Sequence, residues 1–255
     1  AKTALYFISR GSGENKDNRP IKGDYYLTDE EKEGLTKAKK EYEDVVLILN
    51  TGYPIEMGFI ESLGFSAVIW TGFSGQRGSE SLIDILLGGV NPSGRLSDTW
   101  ALDYYDYPSA HNFINLDEKS PVYSDDGKKY GAKLYYEENQ FVGYRYFDRY
   151  QKKVTYSFGH GLSYTDFEVK ANAEFKNGML SVTCSVRNLG TRLGKYSVLV
   201  YVESPSGRLT KPKRVFCGFD KTGLLGLNQE QVLDIRIPAK DFAVYDDKET
   251  SFVLE

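Results

Sequence analysis

Cysteine and histidine are nearly absent from this sequence, whose 255 residues hold two of each. Two cysteines exclude a disulfide scaffold and a four-ligand structural zinc site, and His111 and His160 alone do not make a histidine-rich metal centre. Long hydrophobic runs are missing too: no stretch approaches the ~20 residues that cross a bilayer. Nor is there an excess of positive charge. The 32 Lys and Arg are scattered among 36 Asp and Glu, giving a net charge of −4 and no basic patch that argues for a nucleic-acid partner. Ala1 opens no signal-peptide pattern, and no internal repeat or low-complexity tract is visible. The composition that remains, 40% hydrophobic, 14% aromatic and 27% charged, is that of a folded globular protein. The length suits two domains better than one core.

The first half alternates strand and helix. Residues 4–9 (ALYFIS), 45–50 (VVLILN) and 66–70 (SAVIW) are short apolar runs that read as buried strands, the second of the kind expected in a parallel sheet covered on both faces. Between them, Thr28 followed three residues later by Glu31 predicts a capping box, and Leu35, Ala38 and Tyr42 give the helix it opens an apolar stripe. Residues 54–63 suggest a short helix ended by Gly64. Residues 79–87 (SESLIDILL) suggest a helix that is apolar nearly all round, capped by Gly88 and Gly89. The pattern is that of an open α/β sandwich domain over residues 1–105, incomplete as it stands.

Residues 106–160 read as a connecting segment, irregular and rich in Tyr, Asp, Ser and Gly at its start. From Phe167 onward only strand patterns occur. Residues 180–187, 195–203, 214–219 and 231–237 alternate or run apolar, separated by turn signals such as Asn177-Gly178. Residues 161–255 are therefore expected to form an all-β sandwich of immunoglobulin-like architecture. Cys184 alternates with Leu180, Val182 and Val186 and reads as a small core residue, with a disulfide to Cys217 left open as an alternative. Both ends have the look of a piece. The chain opens directly into a core strand and closes at residues 251–255 (SFVLE) without a hairpin partner, an edge liability in an independent protein.

The chemistry centres on the loop at residues 10–24 (RGSGENKDNRPIKGD). It follows a strand's carboxyl end, where open α/β sheets place ligands. Its Gly-x-Gly lacks the third glycine and following helix of a dinucleotide site. Composition alone makes it a solvated, charge-mixed loop. The run at residues 9–27 (SRGSGENKDNRPIKGDYYL) nevertheless resembles the acid/base loop of glycoside hydrolase family 3 enzymes, and four further stretches are similar to that family in the same order. They are residues 50–56 (NTGYPIE), 75–96 (GQRGSESLIDILLGGVNPSGRL), 136–148 (YEENQFVGYRYFD) and 158–168 (FGHGLSYTDFE). The tail is similar to the family's fibronectin type III-like module.

The resemblance implies part of a retaining, exo-acting β-glucosidase that hydrolyses terminal β-D-glucosyl residues of a β-glucoside or oligosaccharide. By residue match, Glu14 is the general acid/base, with Asp17 and Arg19 as sugar contacts. Asp17 is also a like charge that helps Glu14 hold its proton. The aspartate nucleophile would come from a (β/α) barrel domain or chain absent from these residues, which are too few to hold one. Ser97-Asp98-Thr99-Trp100 resembles the nucleophile's setting in letters only, because Asp98 falls within the NPSGRL-type segment. No metal or organic cofactor is implied, since two carboxylates suffice for the reaction. His160 stands at the family's usual tyrosine and reads as structural. Tyr144, Tyr146 and Phe147 suit interdomain packing better than sugar stacking. The chain is then a fragment or cleaved piece of a longer enzyme, or part of one with rearranged domain order, and is expected to be inactive alone. The alternative is a non-catalytic carbohydrate-binding protein on the same scaffold.

Overall fold

A computed structural model describes residues 2–11, 18–112, 121–123, 129–132 and 136–255, with 121–123 and 129–132 described by backbone alone. The first half contains β1 (Thr3–Ser9), α1 (Asp29–Glu41), β2 (Asp44–Asn50), α2 (Gly58–Leu63), β3 (Ala67–Trp70) and α3 (Gly78–Leu86). The three strands form a parallel sheet in the order β1-β2-β3, with Ser9 opposite Asn50 and Leu49 opposite Trp70, so their carboxyl ends share one edge. Central β2 is the most deeply buried, as its unbroken apolar run requires. Thr28 and Glu31 form the expected capping box. The buried side of α1, Leu35 and Ala38, faces a core in which Leu35 joins Ile8, Leu47, Leu49, Ile60 and Trp100.

One expectation fails here. β1 is covered on one side only: Ile8 is buried and Tyr6 packs on the core, while Leu5 and Phe7 are 49% and 54% exposed. Alternation along an edge strand turns those two side chains to the opposite face from α1. Helix α3 forms as expected and leaves Ile83 and the following Leu87 exposed.

The middle of the chain folds back on this core. It contains β4 (Trp100–Ala101), 3-10 turns at Tyr104–Asp106 and Pro108–His111, β5 (Pro121–Tyr123), β6 (Lys129–Ala132), α4 (Tyr144–Arg149) and β7 (Val154–Tyr156). β4 pairs antiparallel with β7, and β5 with β6. Trp100 is buried edge-on between Trp70 and Tyr156, with ring centroids 5.6 and 6.1 Å away.

The remainder is all β: β8 (Phe167–Lys176), β9 (Met179–Asn188), β10 (Ser197–Val202), β11 (Val215–Lys221), β12 (Glu230–Pro238), β13 (Val244–Asp246) and β14 (Ser251–Val253). One sheet runs β12-β9-β8 and another pairs β10 with β11. Val182, Cys184, Val186, Leu233, Ile235 and Ile237 from the first meet Val198 from the second in a common core. Cys184 is buried in that core and both cysteines are free thiols, each with its pKa raised by burial. Asn188, fully buried, is satisfied on every side. Its Oδ1 accepts from Thr165 Oγ1 (2.7 Å) and Gly190 N (3.0 Å), and its Nδ2 donates to the carbonyls of Arg192 and Leu225 (2.8 Å each). The final strand is not the lone edge expected: β14 pairs antiparallel with β13, Val253 opposite Val244.

The β8–β9 hairpin turns on Asn177 and Gly178, whose φ values of 53° and 72° are those of a type I′ turn joining Lys176 to Met179. A branched side chain at Gly178 pays the left-handed penalty of about 1–2 kcal/mol. Gly178→Val is expected to lower the Tm by about 2–8 °C in thermal unfolding followed by circular dichroism; an unchanged Tm contradicts the turn assignment.

Candidate active site

The shared carboxyl edge of β1–β3 is organised by one buried cation. Arg10 directly follows β1, and its backbone N donates to Asn50 O (3.0 Å), extending the ladder by one bond. Its guanidinium, with the side chain only 4% exposed, makes a two-pronged ion pair with Glu31 (2.6 and 2.8 Å), and its Nε donates to Asp24 O (2.8 Å) and Nη1 to Ser9 O (3.0 Å). Planar guanidinium suits this geometry in a way an ammonium does not. Glu31 is the same residue that closes the capping box, its Oε2 accepting from Thr28 N (2.9 Å). Burial pulls its pKa up, but the Arg10 hydrogen bonds, the Thr28 amide and the Arg10 charge together outweigh that and hold it below its ordinary 4.5.

The loop's far side is tied to the same edge. Asp24, buried, accepts from Arg19 Nε at Oδ2 (3.2 Å) and from Tyr53 Oη at Oδ1 (2.7 Å). The Tyr53 phenol is pushed up to about 12, by burial first and then by its bond to Asp24. Asn18 Nδ2 donates to Pro54 O (3.4 Å), while Asn18 O accepts from Tyr104 Oη (3.0 Å). The glutamate of the NTGYPIE stretch, Glu56, accepts from Leu27 N (3.0 Å) and Lys32 Nζ (3.1 Å). Tyr25, fully buried, packs edge-on against Tyr26 and Tyr104, and Tyr26 Oη donates to Asp103 (2.9 Å).

Of the residues that sequence reasoning named, Glu14 and Asp17 lie outside the described residues. Arg19 is half exposed at the loop's foot, bonded to Asp24. Sequence reasoning assigned no role to Arg10, Asp24 or Tyr53. The contacts that join them to Glu31 and to one another span 14 to 29 residues of chain, and the one short side-chain link, Arg19 to Asp24, follows no helical or strand period. Among the described residues no three His, Cys, Asp or Glu side chains converge as metal ligands.

The other motif stretches serve as joints. Leu96 N donates to His160 O and Gly159 N to Leu96 O (2.8 Å each), so the NPSGRL and FGHGLSY stretches pair backbone to backbone. The approach is close: a Cβ on Gly161 would meet Gly94 O, and Arg95 donates to Gly161 O. Asn91 Oδ1 accepts from Ser163 Oγ (3.1 Å) and Tyr164 N (2.9 Å), while its Nδ2 donates to Leu193 O (3.1 Å). His160 stacks on Tyr156 (4.9 Å), and its pKa is lowered by burial and by the Arg95 charge. Tyr144 packs on Phe158 and Tyr201 and accepts from Phe216 N (2.7 Å), while Phe147 is buried against Tyr107. These are packing contacts, as read for the Tyr144–Phe147 cluster.

An α/β sheet whose carboxyl edge ties down both ends of a loop, joined by backbone and side-chain bonds to a β-sandwich, defines a two-domain architecture. The profile of the glycosyl hydrolase family 3 C-terminal domain matches residues 1–164, and that of the fibronectin type III-like domain matches residues 196–255. The chain belongs to glycosyl hydrolase family 3. It is 42% identical to a β-glucosidase of Ruminococcus albus over 96% of this chain and 24% of the relative. Beta-glucosidase A of Butyrivibrio fibrisolvens is 33% identical over all of this chain and 35% of its own. Among solved structures, a β-glucosidase from Paenibacillus barengoltzii superposes with a TM-score of 0.88 at 33% identity, covering 100% of this chain and 28% of that one. Beta-glucosidase 3B of Thermotoga neapolitana, in complex with α-D-glucose, gives 0.85 at 35% identity, covering 96% and 33%. The chain thus spans about a quarter to a third of the length of these relatives, and no eight-stranded barrel is present among the described residues.

Arg10→Met keeps the stem and removes the charge, leaving Glu31 without its partner. We expect a loss of about 3 kcal/mol, the lower end for breaking a buried pair, because the Glu31 side chain is 21% exposed. A pKa below 4.5 in the folded state means that the stabilisation is complete above that value and disappears as pH falls through the folded one. Denaturant unfolding at pH 7 and pH 3 measures both: the difference between wild type and Arg10→Met is expected to shrink at the lower pH. An equal difference at both contradicts the pairing.

Proposed function

We propose that this chain supplies the general acid/base of a retaining β-glucosidase, and that Glu14 is that group. The supporting observation is the anchoring of the chain on both sides of residues 12–17 to the carboxyl edge of the sheet, by Arg10 before them and by Asn18 and Arg19 after. The aspartate nucleophile comes from the barrel carried elsewhere in the complete polypeptide. The substrate is a glycoside or oligosaccharide with a terminal β-D-glucosyl residue, as the names of the relatives suggest. Asp17 and Arg19 flank the sugar, and Asp17 helps Glu14 keep its proton before the first step. The division we propose runs 1–105 for the α/β part, 106–160 for the connector and 161–255 for the sandwich; the 255-residue chain alone, without the nucleophile, has no activity.

In the first step the nucleophile attacks the anomeric carbon and the glycosidic C–O bond breaks. The Glu14 carboxyl gives its proton to the departing oxygen, so the leaving group departs as a neutral alcohol. In the second, the Glu14 carboxylate takes a proton from water as the water oxygen bonds to the anomeric carbon and the nucleophile leaves. Glu14 ends protonated, as it began, and configuration is retained.

Glu14→Gln in the complete enzyme is expected to slow hydrolysis of cellobiose, whose leaving sugar needs protonation, by about 100-fold or more. Azide is expected to restore partial turnover to Glu14→Ala by attacking the glycosyl-enzyme in place of activated water. A full wild-type rate on cellobiose for Glu14→Gln would remove the assignment.

A further inference from the structure

Asp24 is where three segments of the chain meet. Its backbone carbonyl takes the Nε of Arg10 from the strand end before residues 12–17. Its carboxylate takes Arg19 Nε on one oxygen (3.2 Å) from the segment after them, and Tyr53 Oη on the other (2.7 Å) from the turn that follows β2. The carboxylate is almost fully enclosed, its side chain 6% exposed. We propose that Asp24 and Tyr53 are positioning residues for the glycosidase acid/base: through Arg10 and Arg19 they fix where the chain leaves the sheet and where it returns. The proposal rests on the assignment of the acid/base to Glu14.

The physical case comes from what such a network is poor at. Taking a carboxylate and a phenol out of water is costly, and a buried charged network contributes little net stability compared with apolar packing of the same shape. What it supplies is a single geometry, since each oxygen of Asp24 has a directional partner and a shifted arrangement leaves a buried charge unmatched. Proton transfer to a departing oxygen is sensitive to this, because a misplacement of about 1 Å can cost on the order of 100-fold in rate. Arg10, Asp24 and Tyr53 are all set back at the sheet edge, so their influence on the reaction passes through the placement of the loop between Arg10 and Arg19.

The test uses the complete enzyme and a series of β-glucosides whose leaving groups run from dinitrophenol, which departs without protonation, to simple alcohols, which do not. Glu14→Gln is the reference. Asp24→Asn is expected to lower kcat/KM about 30- to 100-fold for the alcohols and less than about 3-fold for dinitrophenol, with Tyr53→Phe giving the same tilt at about 3- to 10-fold. A structural role alone lowers all substrates equally. A uniform loss across the series, or none, in variants that melt cooperatively overturns the proposal. Should Asp24→Asn not fold, Tyr53→Phe decides alone, since it removes one hydroxyl and no charge. If Glu14→Gln itself shows no dependence on the leaving group, the acid/base assignment falls. If it does and the Asp24 and Tyr53 variants do not, the positioning role alone falls.

Discussion

Arg10 brings a full positive charge into a site where almost none of its side chain touches water, and that cost has to be met locally. Glu31 meets it, and Glu31 is also the residue that caps α1 through the Thr28 amide. One ion pair therefore joins the end of β1 to the start of α1, two elements separated by the whole intervening loop. Asp24, Arg19 and Tyr53 extend the same connection to the turn after β2. Remove the pair and the helix start, the strand end and both feet of the loop lose their common reference.

The second constraint is the joint between the two parts of the chain. Leu96 exchanges backbone bonds with Gly159 and His160, Arg95 donates its guanidinium to Gly161 O, and the Asn91 amide accepts from Ser163 and Tyr164 N while donating to Leu193 O. Arg95 also lies over the Tyr196 ring at 5.1 Å, just before β10. The NPSGRL, VGYRYFD and FGHGLSY stretches thus serve as joints within the chain.

The strands, the capping box, the Asn177-Gly178 turn and the β-sandwich were legible because each is a local signal: apolar alternation, a polar pair three residues apart, a dipeptide that tolerates positive φ. The exposure of Leu5 and Phe7 was not, since an edge strand and a central strand carry the same apolar letters. The pairing of β14 escaped because its partner β13 is three residues long and offers no period to read. Glu14 was proposed from likeness of motif and lies outside the described residues. Arg10, Asp24 and Tyr53 were not singled out, because a network closed across tens of residues leaves no trace in spacing. Cys184 was read correctly as a core residue from alternation alone.

The proposed division of the reaction places the acid/base within these 255 residues and the nucleophile outside them. Trapping the covalent intermediate of the complete enzyme tests it most directly. An activated 2-deoxy-2-fluoro-β-glucoside slows both steps, and peptide mass spectrometry then locates the sugar. We predict the label on an aspartate outside residues 1–255. A label on a carboxylate within them, Asp17 or Asp98 for instance, contradicts the division of labour between the two domains.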